Sequence, residues 1–128
     1  MEKILGKFDG VIYSALRAVA GFIYLQHGIQ KIFGGIGGAQ VQYASLFGAA
    51  GFIELICGIL ILVGLFTSIA AFIASGQMAV AYFMMHAPAN FYPVLNNGEV
   101  AALLCFIFLY CAAKGDGAIS LRKLALKK

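Results

Sequence analysis

Four apolar runs set the limits on what this chain can fold into. They cover about residues 11–33, 46–66, 68–86 and 98–113. The first, Val11 to Phe33, is about 23 residues long, enough at 1.5 Å per residue to cross a hydrocarbon core of about 30 Å. It exceeds the apolar region of a signal peptide, and Arg17, Gln26 and His27 within it argue against a cleaved leader. Hydrophobic residues make up 62% of the chain and charged ones 11%, with a mean hydropathy of +0.95. Soluble domains hold roughly 45 to 50% apolar residues. The reading is an all-α protein with a single domain over residues 1–128, a four-transmembrane-helix bundle whose first partner is the lipid bilayer.

Punctuation between the runs fits that reading. Met1 to Gly10 sets Glu2, Lys3, Lys7 and Asp9 among Ile4, Leu5 and Phe8, an amphipathic segment suited to a membrane interface. Gly34, Gly35, Gly37 and Gly38 end the first helix. No Gly-Lys-Ser/Thr follows them and no strand precedes, so they read as a linker rather than a phosphate loop. Thr67 and Ser68 are N-cap residue types, which predicts a tight hairpin between the second and third helices. Pro88 and Pro93 bracket a loop, Ala87 to Asn96, carrying Phe91 and Tyr92 as interfacial aromatics. Asn capping with Glu99 in the first turn would open the fourth helix, and Gly115 and Gly117 close it.

The net charge of +4 comes from basic residues near the chain ends, so no basic face is available for nucleic acid. Lys3 and Lys7 precede the first span, and five basic residues lie between Lys114 and Lys128, which predicts that both termini are cytoplasmic. The glycine linker and the proline-bracketed loop then face outward. Cys57, Cys105 and Cys111 form no C-x-x-C pair and lie within apolar runs, as buried small hydrophobes do.

With this topology the ionisable groups gather in one half of the bilayer. His27 and Lys31 stand at i and i+4 near the end of the first helix, so they share a face. His86 ends the third helix on the same side, and Asn97 and Glu99 begin the fourth. Glu54 lies about 12 Å into the second helix. A charge near the bilayer centre costs about 2.5 to 3.5 kcal/mol even on insertion scales. Glu54 should therefore be protonated, or paired with Lys31, His27 or Arg17. Gly51 and Gly58 flank it on a small-residue stripe that lets another backbone approach. Ser75, Met78, Tyr82 and His86 share a face of the third helix, which serves either core packing or a cofactor. Arg17 and Gln77 fall outside the outer-half cluster.

Glu54, His27 and His86 are the candidate catalytic residues. Lys31, Asn97, Glu99, Arg17, Tyr82 and Met78 are the candidate binding residues, and no residue is assigned to a metal. His27, His86 and a carboxylate suit Zn, Mn or Fe, and two imidazoles facing one cavity suit haem, but no short ligand motif supports either. A quinone or other lipid-soluble substrate entering from the bilayer, with His and Glu moving protons, fits the location better.

An ordered set of short pieces extends from Leu16 to Leu121. It comprises Leu16-Arg17, His27-Gly28 with Lys31, Phe33-Gly34, Gly51 to Glu54 with Gly58, and Gly64-Leu65-Phe66-Thr67. It continues through Met78 to Tyr82, His86 with Pro88, Asn96-Asn97-Gly98-Glu99, and Lys114-Gly115-Asp116-Gly117 leading to Ser120-Leu121. The set resembles the DoxX family of small four-span membrane proteins. Two positions depart from the family pattern: Ser68 where Arg often follows the Phe-Thr pair, and Arg122 where Asp often follows the Ser-Leu pair. The resemblance implies a bacterial-type inner (plasma) membrane protein often labelled an oxidoreductase. Relatives include a subunit of a thiosulfate:quinone oxidoreductase and a membrane partner in a thiol and oxidative-stress complex, while related four-span proteins serve as assembly or cargo factors.

Three functional readings follow. The leading one is a subunit of a quinone-linked redox system, working beside other redox subunits or as a homo-oligomer. The second is a non-catalytic assembly partner of a redox or stress-response complex, whose polar cluster is structural. The third is a small proton-coupled transporter, drawn from the parallel between a first hairpin with His27 and Glu54 and a second with His86 and Glu99.

Overall fold

A computed structural model describes residues 1–126. Helices and loops account for all of them, with no strand among the described residues. Helix α1 (Glu2–Leu5) passes through a 3-10 turn into the long α2 (Asp9–Phe33). After the glycine linker come α3 (Leu46–Val63) and α4 (Thr67–Ala81), whose last turn widens into a π turn over Tyr82–His86. A short α5 (Pro93–Asn96) precedes α6 (Glu99–Lys114), and α7 (Leu121–Leu126) closes the described chain. Three stretches, Glu2–Phe33, Leu46–Val63 and Thr67–His86, are long and apolar enough to cross a membrane. Lys127 and Lys128, two of the basic residues behind the orientation reading, lie outside the described residues.

Local chemistry sets most of the helix ends. Gly34 ends α2 in the left-handed conformation at φ 71°, with its N–H on the Gln30 carbonyl. Ser45 caps α3, its hydroxyl accepting the Gly48 N–H at 3.0 Å. Helix α3 stops short of the expected Phe66 because Gly64 turns left-handed at φ 77°. Two cap expectations are corrected. Neither Thr67 nor Ser68 caps α4; the Asp116 carboxylate, from the tail, accepts the Thr67 N–H at 2.9 Å. Helix α6 starts after Gly98 without a side-chain cap, and the Asn96 carboxamide takes the Gly98 N–H one residue earlier.

Packing divides the bundle into two close pairs, α2 with α3 and α4 with α6. Glycine makes the first pair possible. A Cβ at Gly28 would stand 2.5 Å from the Leu55 nitrogen, and one at Gly58 would stand 2.8 Å from the Leu25 Cα. With no side chain at either point the two backbones run in contact, as in small-residue membrane interfaces. Alanines serve the second pair: Ala70, Ala71 and Ala74 are buried, and the Ser75 hydroxyl donates to the Cys105 carbonyl at 2.7 Å. The pairs meet in a core where Tyr24 packs edge-on to Phe108 at 4.9 Å between ring centroids. Phe22, Ile56, Phe72 and Phe106 remain exposed on the outside of the helices, as lipid-facing residues do. Cys57 and Cys111 are buried free thiols and Cys105 is half-buried.

The end carrying both termini is stitched shut. Arg17, 3% exposed, donates through Nε to the Ile61 carbonyl at 2.9 Å and through Nη1 to the Asp116 carbonyl. Tyr13 donates its hydroxyl to the Gly115 carbonyl at 2.6 Å, and the Ser14 hydroxyl accepts the Ile119 N–H at 3.0 Å. Burial raises the pKa of the Asp116 carboxyl, but the Thr67 N–H and the Arg122 guanidinium outweigh it and hold the group below the ordinary carboxylate value.

Candidate functional site

At the opposite end, where the two helix pairs diverge, lies a cavity of about 830 Å³. Helix α2 contributes His27 and Lys31, α3 Glu54, α4 and its π turn Gln77, Met78 and His86, and the turn between α5 and α6 Asn97. The wall between α3 and α4 is apolar, with Phe47, Phe72 and Met84 exposed along it. Gly76 has nothing within 4 Å of where its Cβ would be, so the wall is open at that level.

Lys31 belongs to the last turn of α2, and its Cβ lies over Gly51, where a Cβ would come within 2.9 Å. Because α3 carries no side chain there, Lys31 can run along it to Glu54. The ammonium meets both carboxylate oxygens, at 2.6 and 2.7 Å. The Glu54 side chain is 2% exposed and that of Lys31 26%, so the pair is buried at its acidic end and open at its basic end. Its mutual attraction offsets a desolvation cost of several kcal/mol per ion.

Two further residues lock the carboxylate. Gln77 Nε2 donates to Glu54 Oε1 at 3.0 Å, and the Tyr24 hydroxyl donates to Gln77 Oε1 at 2.7 Å. A carboxylate only accepts, so the amide must present its NH₂ to Glu54 and its oxygen to Tyr24. The order of donors along Tyr24, Gln77 and Glu54 is therefore fixed.

The imidazoles differ. His86 Nδ1 is 3.0 Å from the Asn96 carbonyl oxygen, which can only accept, so Nδ1 carries a proton and the neutral ring keeps Nε2 as an acceptor. His27 is exposed one turn before Lys31 and has no hydrogen-bond partner among the described residues. Together the four groups offer two imidazoles, an ammonium and a locked carboxylate on one apolar-walled space. Among the described residues no group of three or more His, Cys, Asp or Glu side chains is arranged to hold a metal.

Six of the nine candidate site residues line this cavity: His27, Lys31, Glu54, Met78, His86 and Asn97. Three do not. Arg17 is at the far end of the bundle, so Lys31 is the partner Glu54 takes. Glu99, exposed in the first turn of α6, is not part of the cavity lining. Tyr82 is buried behind the wall, its hydroxyl donating to the Phe91 carbonyl and accepting Asn96 Nδ2 at 3.2 Å, where it pins the proline-bracketed loop. Gln77, set apart by the sequence reading, and Tyr24, not singled out at all, belong to the site. Depth counting carries a signal for Gln77: it lies nine residues before His86 and Glu54 eight after Leu46, which puts both about 12 to 14 Å from that end.

The DoxX family model matches residues 12–87, more than half of the chain. The chain belongs to the DoxX family. An uncharacterized protein of Haemophilus influenzae is 36% identical over 131 residues, covering 97% of this chain and 98% of that protein. No solved structure matches. In this DoxX protein the ion pair, Gln77, Tyr24 and both imidazoles fall within the family-matched segment, whereas Asn97 and all of α6 fall after it. The helices long and apolar enough to cross a membrane and the family together make it an integral membrane protein.

Proposed function

We propose that this DoxX protein is a four-span subunit of a quinone-linked redox system in the inner (plasma) membrane, with both termini cytoplasmic and the cavity in the outer half of the bilayer. The basic residues near both chain ends support that orientation. Helix α6, at 16 residues, is about 24 Å long and makes the fourth crossing with modest local thinning of the bilayer.

One observation carries the reading: two imidazoles and a Lys-Glu pair share an apolar-walled space that is open between α3 and α4, on the side where lipid would lie. A quinone ring enters there from the hydrocarbon, its tail left among Phe47, Phe72 and Met84. Lys31 and His27 donate hydrogen bonds to its carbonyl oxygens. Reduction to the quinol takes two electrons, from a partner redox subunit, and two protons, which His27 and Lys31 pass to the oxygens and regain from water, with His86 Nε2 and the Glu54 carboxylate as proton acceptors on the way in. Binding of a short-chain quinone to the protein in nanodiscs tests this. Glu54→Gln and His27→Ala should each weaken binding at least about tenfold, a loss of about 1.4 kcal/mol. Unchanged binding and unchanged quinone-linked turnover in both variants would remove the proposal.

A second reading has its own support in the Tyr24–Gln77–Glu54–Lys31 chain, which also serves as a structural brace between α2, α3 and α4. On that reading the protein is an assembly partner. Glu54→Gln then abolishes capture of partner subunits and lowers melting temperature, with no quinone-binding change beyond the lost fold.

A further inference from the structure

A second cavity, of about 500 Å³, lies at the termini end, between the start of α4 and the α6–α7 segment. Among the described residues its charged lining is three cations, Lys114, Arg122 and Lys123, against one carboxylate, Asp116. That carboxylate is already engaged, Oδ1 by the Thr67 N–H at 2.9 Å and Oδ2 by Arg122 at 3.2 Å. Lys114 pairs with Asp9 at 3.1 Å in a bridge exposed on both sides, which holds it weakly. Lys123 makes no salt bridge among the described residues. An excess of positive charge therefore converges on the space.

Beside Thr67 and Ser68, the remaining wall carries bare apolar side chains. Phe66 and Ile69 are 66% and 67% exposed, and Leu126 is 74% exposed. Cations on one side and uncovered hydrocarbon on the other match an amphiphile rather than a free anion. If α4 and α6 cross the bilayer, the cavity also sits at headgroup level, since it is formed where both helices end.

We propose that this cavity binds an acidic phospholipid, its phosphate held by Lys123, Arg122 and Lys114 and the start of its acyl chains lying against Phe66 and Ile69. Each Lys or Arg near an anionic lipid surface contributes about fivefold in affinity. The site is separate from the quinone cavity, and its test does not depend on redox activity.

The experiment is thermal unfolding of the full-length protein in detergent, titrated with dioleoylphosphatidylglycerol, dioleoylphosphatidylcholine or inorganic phosphate. Phosphatidylglycerol should raise the melting temperature, and the other two should leave it unchanged. Lys123→Gln should weaken the phosphatidylglycerol effect about fivefold in concentration, and Arg122→Gln/Lys123→Gln about 25-fold. Lys3→Gln/Lys7→Gln, the same charge change at the other terminus, should leave it intact. An equal response in wild type and both cavity variants overturns the proposal, as does an equal loss in the Lys3/Lys7 control. Stabilisation by inorganic phosphate alone overturns the lipid assignment. Should the double variant fail to fold, Lys123→Gln decides the matter by itself, because its side chain makes no salt bridge or hydrogen bond among the described residues.

Discussion

The two ends of the bundle each bury a charged side chain, and they treat it in opposite ways. At the termini end Arg17 is held by backbone carbonyls of the last turn of α3 and of the tail, so its charge closes helix ends that would otherwise leave acceptors unpaired. At the loop end Glu54 is held by side chains alone, and the partner that neutralises it reaches into an open cavity. A charge spent on backbone carbonyls is architecture. A charge balanced by one part-exposed side chain beside a cavity can exchange its partner for a ligand, and that contrast is why the proposed function is placed at the loop end.

The sharpest way to break the contrast is Lys31→Met. It leaves the Glu54 carboxylate buried with Gln77 as its remaining donor and should cost about 3 to 5 kcal/mol. Lys31→Met/Glu54→Gln should recover most of that, because removing both charges leaves no unpaired ion. Unfolding in mixed detergent micelles measures both variants; a cost below about 1 kcal/mol for the single variant would show that water already solvates the pair. Next in size is Arg17→Met, which strips the donors from the Ile61 and Asp116 carbonyls. About 2 to 4 kcal/mol should be lost, with quinone affinity per folded molecule unchanged. A selective loss of quinone binding instead would place Arg17 in the site after all.

A smaller effect, about 1 kcal/mol at neutral pH, is expected for Asp116→Asn at the α4 cap. Its sign with pH follows from the depressed folded pKa of Asp116. The stabilisation is fully present above the unfolded value of about 3.9 and is lost as pH falls through the lower folded value. Asp116→Asn should flatten that acid limb of a melting-temperature profile; an unaltered limb would assign it to other carboxylates. Smallest of all is His27→Ala, whose exposed ring holds no partner among the described residues. It should shift stability by less than about 0.5 kcal/mol while reducing quinone affinity. A large stability loss would make His27 part of the scaffold.

Much of the loop-end chemistry was legible before any coordinates. The spacing of His27 and Lys31, and the isolation of Glu54 in an apolar run between Gly51 and Gly58, leave Glu54 either protonated or paired with Lys31, His27 or Arg17, and the structure pairs it with Lys31 at a close helix contact. Gln77 was missed because its role depends on how far α4 is rotated toward α3, and periodicity along one helix does not report that. Arg17 was ambiguous for a related reason: a lone Arg in an apolar run needs acceptors, and backbone carbonyls leave no mark in the sequence. The α4 cap shows the same limit, since Thr67 has the residue type of a cap while Asp116, remote in the chain, supplies it.

What the chain determines alone is where hydrophobic runs begin and end, because that depends on composition over a length set by the bilayer and on glycines free to adopt positive φ. Which polar groups meet is decided only by tertiary packing. In this bundle absent side chains at Gly28, Gly51 and Gly58 draw α2 onto α3 until Lys31 reaches Glu54, while the looser junction of α3 and α4 leaves the cavity beside them. Contact between helices is a matter of relative rotation and distance, and neither quantity is written in the order of residues along a single helix.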